Sequence, residues 1–90
     1  MTVLVDAAIW ERHGRRFAHL ASDISYAELH AFAAHLGLPE RAFHRDHYDL
    51  PSERREAAIA LGALPVDSRQ LVRRLRDAGL RARRPAPPYA

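Results

Sequence analysis

The chain contains no cysteine, so neither a disulfide nor a thiolate-bound zinc can hold it together, and its 90 residues must fold around one apolar core. A chain of this length buries only about 60–65% of the surface that its unfolded form exposes, so that core is modest. The same absence removes cysteine nucleophiles and fits a reducing compartment. All 14 basic residues are arginine, which excludes a lysine Schiff base and a P-loop lysine. No apolar run approaches the roughly 20 residues of a membrane span. Met1 to Val5 leads straight into a strand-like run without the charge pattern of a signal peptide. The expectation is one small, soluble, cytoplasmic domain over residues 1–80, followed by a basic, proline-rich, flexible tail over residues 81–90.

Local signals order the elements. Thr2 to Val5 is a short, β-branched run that reads as a buried strand. Phe17 to Ala21 reads as a second strand paired with it, after a turn at His13-Gly14-Arg15-Arg16. The linker carrying Ile9 and Trp10 is too long for a tight hairpin between those two, and Trp10 reads as a lid over the core. Ser25 and Glu28 have capping-box spacing, and Tyr26, Leu29, Phe32, Ala33 and Leu36 recur at helical spacing until Gly37. Residues 42–50 lie between Pro39 and Pro51 with too little room for a helix, and they read as one extended segment. Ser52 is expected to cap a second helix over residues 53–61, with Leu64 to Val66 a short strand after it. Asp67 with Gln70 is a second capping box, opening a third helix that ends near Gly79. The order β-β-α-β-α-β-α predicts an α/β domain, with α+β as the alternative, of three or four strands and about three helices.

An isoelectric point near 10.2 points towards nucleic acid, but the distribution of charge weakens that reading. Residues 1–50 hold five arginines against seven acids, and residues 51–80 hold six against four. The excess belongs to Arg81, Arg83 and Arg84, which have no acid beside them. Histidine is the anomaly: all six lie before residue 48, in the same half as Asp6, Asp23, Asp46 and Asp49. Acid–base or metal chemistry must therefore be built mainly by the first half.

The densest constellation is His44-Arg45-Asp46-His47-Tyr48-Asp49, followed by Arg54-Arg55. On a strand, side chains at i and i+2 share a face about 6.6–6.8 Å apart. His47 and Asp49 are then expected to point one way with Arg45, and His44, Asp46 and Tyr48 the other. A His-x-Asp pair binds a divalent metal, or forms an acid–base couple in which the carboxylate orients the imidazole. Arg54 or Arg55, at the start of the second helix, adds a guanidinium fork beside unpaired backbone N–H groups, which suits phosphate or carboxylate. The same spacing equally describes Asp49 capping that helix and pairing with an arginine.

Asp6 stands at the end of the first strand, where open sheets place ligands but where an acid also caps turns. His19 lies mid-strand among apolar neighbours and His30 on a helix flank; each suits a pocket or a hydrogen-bonded structural place. His13 and His35 read as surface residues. Tight ligand spacings such as HExxH are absent, so a divalent metal drawn from Asp6, His19, His47 and Asp49 has only a weak signal. A Gly-x-Ser-x-Gly elbow and a glycine-rich phosphate loop are absent too.

The run from His13 to Leu20, Glu28-Leu29-His30-Ala31-Phe32-Ala33, Leu36-Gly37, Phe43, His47-Tyr48-Asp49 and Gly62-Ala63-x-x-Val66 together resemble the bacterial and phage domain-of-unknown-function family numbered 4031. The likeness starts at Val3-x-Val5-Asp6 and covers residues 2–80. It implies that the recurring polar positions of the family fall here on Asp6, His19, Asp23, Glu28, His30, His47, Tyr48 and Asp49. Phe17 stands where the family commonly has tryptophan, and some members carry a longer insert before the His-Tyr-Asp block.

Two functional readings follow. In the first, a polar site binds or processes a phosphate-bearing or other anionic ligand, with or without a divalent metal. His47 would be general acid/base or metal ligand, Asp49 its orienter, and Arg54 or Arg55 the anion clamp, with Asp6, His19, His30 and Tyr48 lining the pocket. In the second, a non-enzymatic module binds protein or nucleic acid through Arg69, Arg73 and Arg76 on the third helix and through Arg81, Arg83 and Arg84. A homodimer suits a core this small. No membrane partner is expected, and the sequence leaves open whether the chain is an enzyme.

Overall fold

The computed structural model describes residues 2–81; Arg83, Arg84 and the rest of the expected tail after Arg81 lie outside the described residues. The strands are β1 (Val3–Val5), β2 (Trp10–Arg12), β3 (Arg15–Ser22), β4 (Phe43–His44), β5 (His47–Pro51) and β6 (Leu64–Pro65). The helices are α1 (Tyr26–Leu36), α2 (Arg55–Leu61) and α3 (Ser68–Asp77). The sheet runs in the order β4-β5-β3-β1-β6, with β2 also paired to β3. Only β1 and β6 pair in parallel, so the domain belongs to the mixed α+β class.

The helix signals work as physical chemistry requires, with one exchange of partners. Ser25 Oγ accepts the N–H of Glu28 at 3.0 Å, closing the first half of a capping box. The Glu28 carboxylate turns instead to Ser22, accepting its hydroxyl at 2.8 Å, and Ser22 Oγ accepts the N–H of Ser25. Gly37 takes φ 80 and ends α1 with Leu38 donating to Ala33. Asp67 and Gln70 form a complete capping box at α3.

The sheet has six strands where three or four were expected, because two tight hairpins escape the apolar pattern. His13 (φ 53) and Gly14 (φ 76) make a two-residue turn that sets Arg12 opposite Arg15. The strand it creates, β2, is exposed throughout and so carries no apolar alternation. Arg45 (φ 63) and Asp46 make a second two-residue turn that sets His44 opposite His47. Residues 42–50 are therefore a hairpin and not one extended segment, and Arg45 does not share a strand face with His47. Ser52 does not cap a helix either: residues 52–54 form a 3-10 turn, and α2 begins at Arg55 without a side-chain cap.

No heavy atom lies within 4 Å of a β-carbon built at Gly14, so its role is conformational alone. Gly14→Ala is expected to destabilise the domain by about 1–2 kcal/mol through its left-handed backbone. A thermal melt checks this, and an unchanged midpoint would mean that the β2–β3 turn contributes nothing to stability.

The two faces of the sheet bury different sets. Val3, Val5, Ala18, Leu20, Tyr48 and Leu50 pack with Leu29, Leu36 and Ala58 of α1 and α2. Leu4 and Ala21 pack with Leu71 and Leu75 of α3 on the opposite face. Alternation with period two consequently carries Asp6, His19, His47 and Asp49 onto the α3 face.

Candidate functional site

Strand register brings the site together. Val5 pairs with Leu20, so Asp6 falls beside His19, and His19 is itself paired with Asp49. Three adjacent strands thus set Asp6, His19 and Asp49 in one row. His47 stands two residues before Asp49, on the same face, with its ring centroid 4.7 Å from that of His19.

Asp6 is wholly buried and fully employed. Its Oδ1 accepts the backbone N–H of His19 at 2.6 Å, and its Oδ2 accepts the Ser68 hydroxyl at 2.8 Å and meets His19 Nδ1 at 2.8 Å. Burial pushes this carboxyl up, but the bonds from His19 and Ser68 outweigh burial and hold it below the usual carboxylate range. A carboxylate can only accept, so His19 carries a proton on Nδ1 for Asp6, and Nε2 is the nitrogen left for another partner.

Asp46 repeats the device on His47. It is buried, meets His47 Nδ1 at 2.8 Å, and accepts two bonds from Arg81, at 2.6 and 3.0 Å. Burial raises this carboxyl too, and Arg81 and His47 bring it below the usual range, while the bond to Asp46 in turn raises the Arg81 guanidinium. With its Nδ1 proton given to Asp46, His47 presents Nε2 to Asp49 Oδ1 across 3.3 Å. Nε2 and Oδ1 are both able to donate a lone pair to one cation placed between them.

One ligand atom each from His19, His47 and Asp49 lies within 4.8 Å of the others. Two imidazoles and one carboxylate, each imidazole oriented by its own carboxylate, make a donor set for a divalent transition metal. Arg12 stands at the rim, 3.5 Å from Asp49 Oδ2.

The remaining expected site residues go elsewhere. Tyr48 points to the opposite face, its hydroxyl 2.6 Å from His30 Nδ1, and burial together with Glu40 pushes its phenol up. Arg54 donates to the Leu36 carbonyl at the end of α1, and Arg55 Nε donates to the Asp6 carbonyl, so both arginines are anchored on backbone. The structure does not bring an anion clamp from α2 to His47. Of the other polar positions that the resemblance implies, Asp23 accepts Arg74 and Glu28 accepts Ser22. Trp10 is half-exposed and packs on the His19 ring at 5.2 Å instead of roofing the core. Arg69, Arg73 and Arg76 are exposed and make no ion pair among the described residues. Asp46 was expected to point away from His47 but pairs with it, because it sits in a turn that breaks strand alternation, and Ser68 was not legible because it lies 62 residues from the carboxylate it serves.

The family described as protein of unknown function (DUF4031) matches the chain over residues 3–78. The chain belongs to that family. Of the DUF4031 positions implied above, Asp6, His19, His47 and Asp49 meet on the α3 face of the sheet, and His30 and Tyr48 meet on the other. No curated protein and no solved structure matches the chain. No helix among the described residues is long and apolar enough to cross a membrane.

Proposed function

We propose that this domain holds a divalent transition-metal ion on His19, His47 and Asp49 and uses it to bind a phosphate-bearing or other anionic ligand. The observation that carries the reading is the pair of carboxylate–histidine couples, Asp6–His19 and Asp46–His47, whose imidazoles each bring a ligand atom within 4.8 Å of one carboxylate, Asp49. Imidazole donors favour zinc or iron over magnesium or calcium, and the Asp49 carboxylate gives the mixed set an oxygen donor that manganese also takes. Three protein ligands leave coordination positions for water or ligand oxygens, and a bound cation polarises whatever oxygen it holds. Asp46 is matched by Arg81, so a divalent ion would balance Asp6 and Asp49 and leave Arg12 as positive charge at the rim. That arrangement favours an anion. A second reading, an interaction module, rests on the exposed Arg69, Arg73 and Arg76 of α3.

The test is calorimetric titration of EDTA-stripped protein with Mn2+ and Zn2+, followed by thermal melts. One cation per chain is expected. At about 100 times its dissociation constant the ion adds roughly 2.7 kcal/mol, which is a rise of about 11–22 °C in a domain of this size. Inorganic phosphate should add a further rise only when the cation is present. Absence of saturable binding by either metal would overturn the reading.

A further inference from the structure

Behind the row of site residues lies a second space. A cavity of about 270 Å3 sits between the sheet and α3, walled by Trp10, Leu71 and Val72 and edged by the polar Asp6, His19, Ser68 and Arg81. His19 and Trp10 also line the outer cleft that contains Arg12 and Asp49. His19 and Trp10 therefore border both spaces, the outer one rimmed by charge and the inner one offering apolar walls at Trp10, Leu71 and Val72. Arg81 binds Asp46 through Nε and Nη2, and its guanidinium edges the cavity as a flat donor. A cavity of roughly 150 Å3 lined by aliphatic and aromatic side chains holds benzene, so this one has room for a substituted ring.

The geometry points to a ring-bearing organic anion, of the aryl phosphate class, as the ligand: its ring enters the cavity beside Trp10 and Val72 while its anionic group reaches the His19–His47–Asp49 site. This inference rests on the metal-and-anion reading above and adds the chemistry of the rest of the ligand. The apolar walls stabilise the ring by removing it from water, and the indole supplies an aromatic surface that can stack or meet it edge-on. Inorganic phosphate would reach only the polar half.

Phenyl phosphate and inorganic phosphate, each titrated into Mn2+-loaded protein, separate the two parts. Trp10 is the one tryptophan in the chain, so its fluorescence reports the ring directly. Phenyl phosphate is expected to bind about 10-fold or more tightly than inorganic phosphate and to change Trp10 emission. Val72→Phe fills the cavity from a half-buried position and should reduce the preference to within about 3-fold, with Mn2+ and inorganic phosphate affinities unchanged. Trp10→Ala, at a half-exposed site, is the second variant and should reduce the preference by calorimetry without loss of fold. Equal affinity for both anions in the Mn2+-loaded wild type would overturn the ring inference and leave the metal site standing. A preference that survives both variants would overturn it as well. Failure to bind Mn2+ at all sinks the underlying reading instead.

Discussion

Asp6→Ala is expected to lower the melting midpoint of the metal-free domain by roughly 8–30 °C. The carboxylate is wholly buried and takes three hydrogen bonds, from the His19 backbone, the His19 ring and Ser68. Alanine leaves those donors without a partner in a place water reaches poorly, which costs about 2–4 kcal/mol. Each kcal/mol moves the midpoint of so small a domain by about 4–8 °C. Asp6→Asn separates fold from function. Its carbonyl can still accept the His19 N–H, but its amide nitrogen donates towards His19 Nδ1, which forces the imidazole proton to Nε2. Stability should fall less than in Asp6→Ala, while Mn2+ affinity drops about 10–100-fold, the range for loss of a ligand-orienting partner. A midpoint within a few degrees of wild type for Asp6→Ala would show that this network does not support the fold. Wild-type Mn2+ affinity in Asp6→Asn would show that Asp6 does not set the His19 tautomer.

How this site could be seen from sequence depends on the range of the contact that makes it. The His47–Asp49 pairing was legible because strand alternation is local, and the structure keeps both on one face. Helix α1 was legible for the same reason, since the cap at Ser25 and the stop at Gly37 act within a turn. Asp6 was visible only as an acid at a strand end. Its partner His19 lies 13 residues away, and register, which no short window contains, joins them. Arg45-Asp46 misled the strand reading because Arg45 is a poor turn former and Asp46 alone is a weak signal, yet the chain reverses there with Arg45 in the left-handed region. That reversal is what frees Asp46 from the strand pattern and lets it reach back to His47. Arg81 was grouped with the basic tail by composition, whereas its bidentate contact with Asp46 makes it part of the site. Arg54 and Arg55 show the opposite error: charge near a candidate site suggested a ligand clamp, but backbone carbonyls claimed both side chains.

His47→Ala is the substitution that should remove the metal while sparing the fold. Its side chain is 15% exposed but lies outside the apolar core, and Asp46 keeps both bonds from Arg81 when the imidazole is gone. Stability without metal should therefore fall by only about 1 kcal/mol, the usual worth of one hydrogen bond. Two of three protein ligands remain, and these hold a divalent ion far more weakly; Mn2+ affinity is expected to fall at least about 100-fold, beyond the range for an outer partner, because a direct ligand is lost. The metal-induced rise in melting midpoint should disappear with it, and so should any phosphate effect that requires the cation. His44→Ala is the control. That imidazole is exposed, its centroid is 5.7 Å from that of His47, and it is not in the ligand set, so binding should match wild type. If instead His44→Ala abolished binding and His47→Ala did not, the cation would sit on the hairpin's outer surface. The His19 and Asp6 couple would then serve the fold alone.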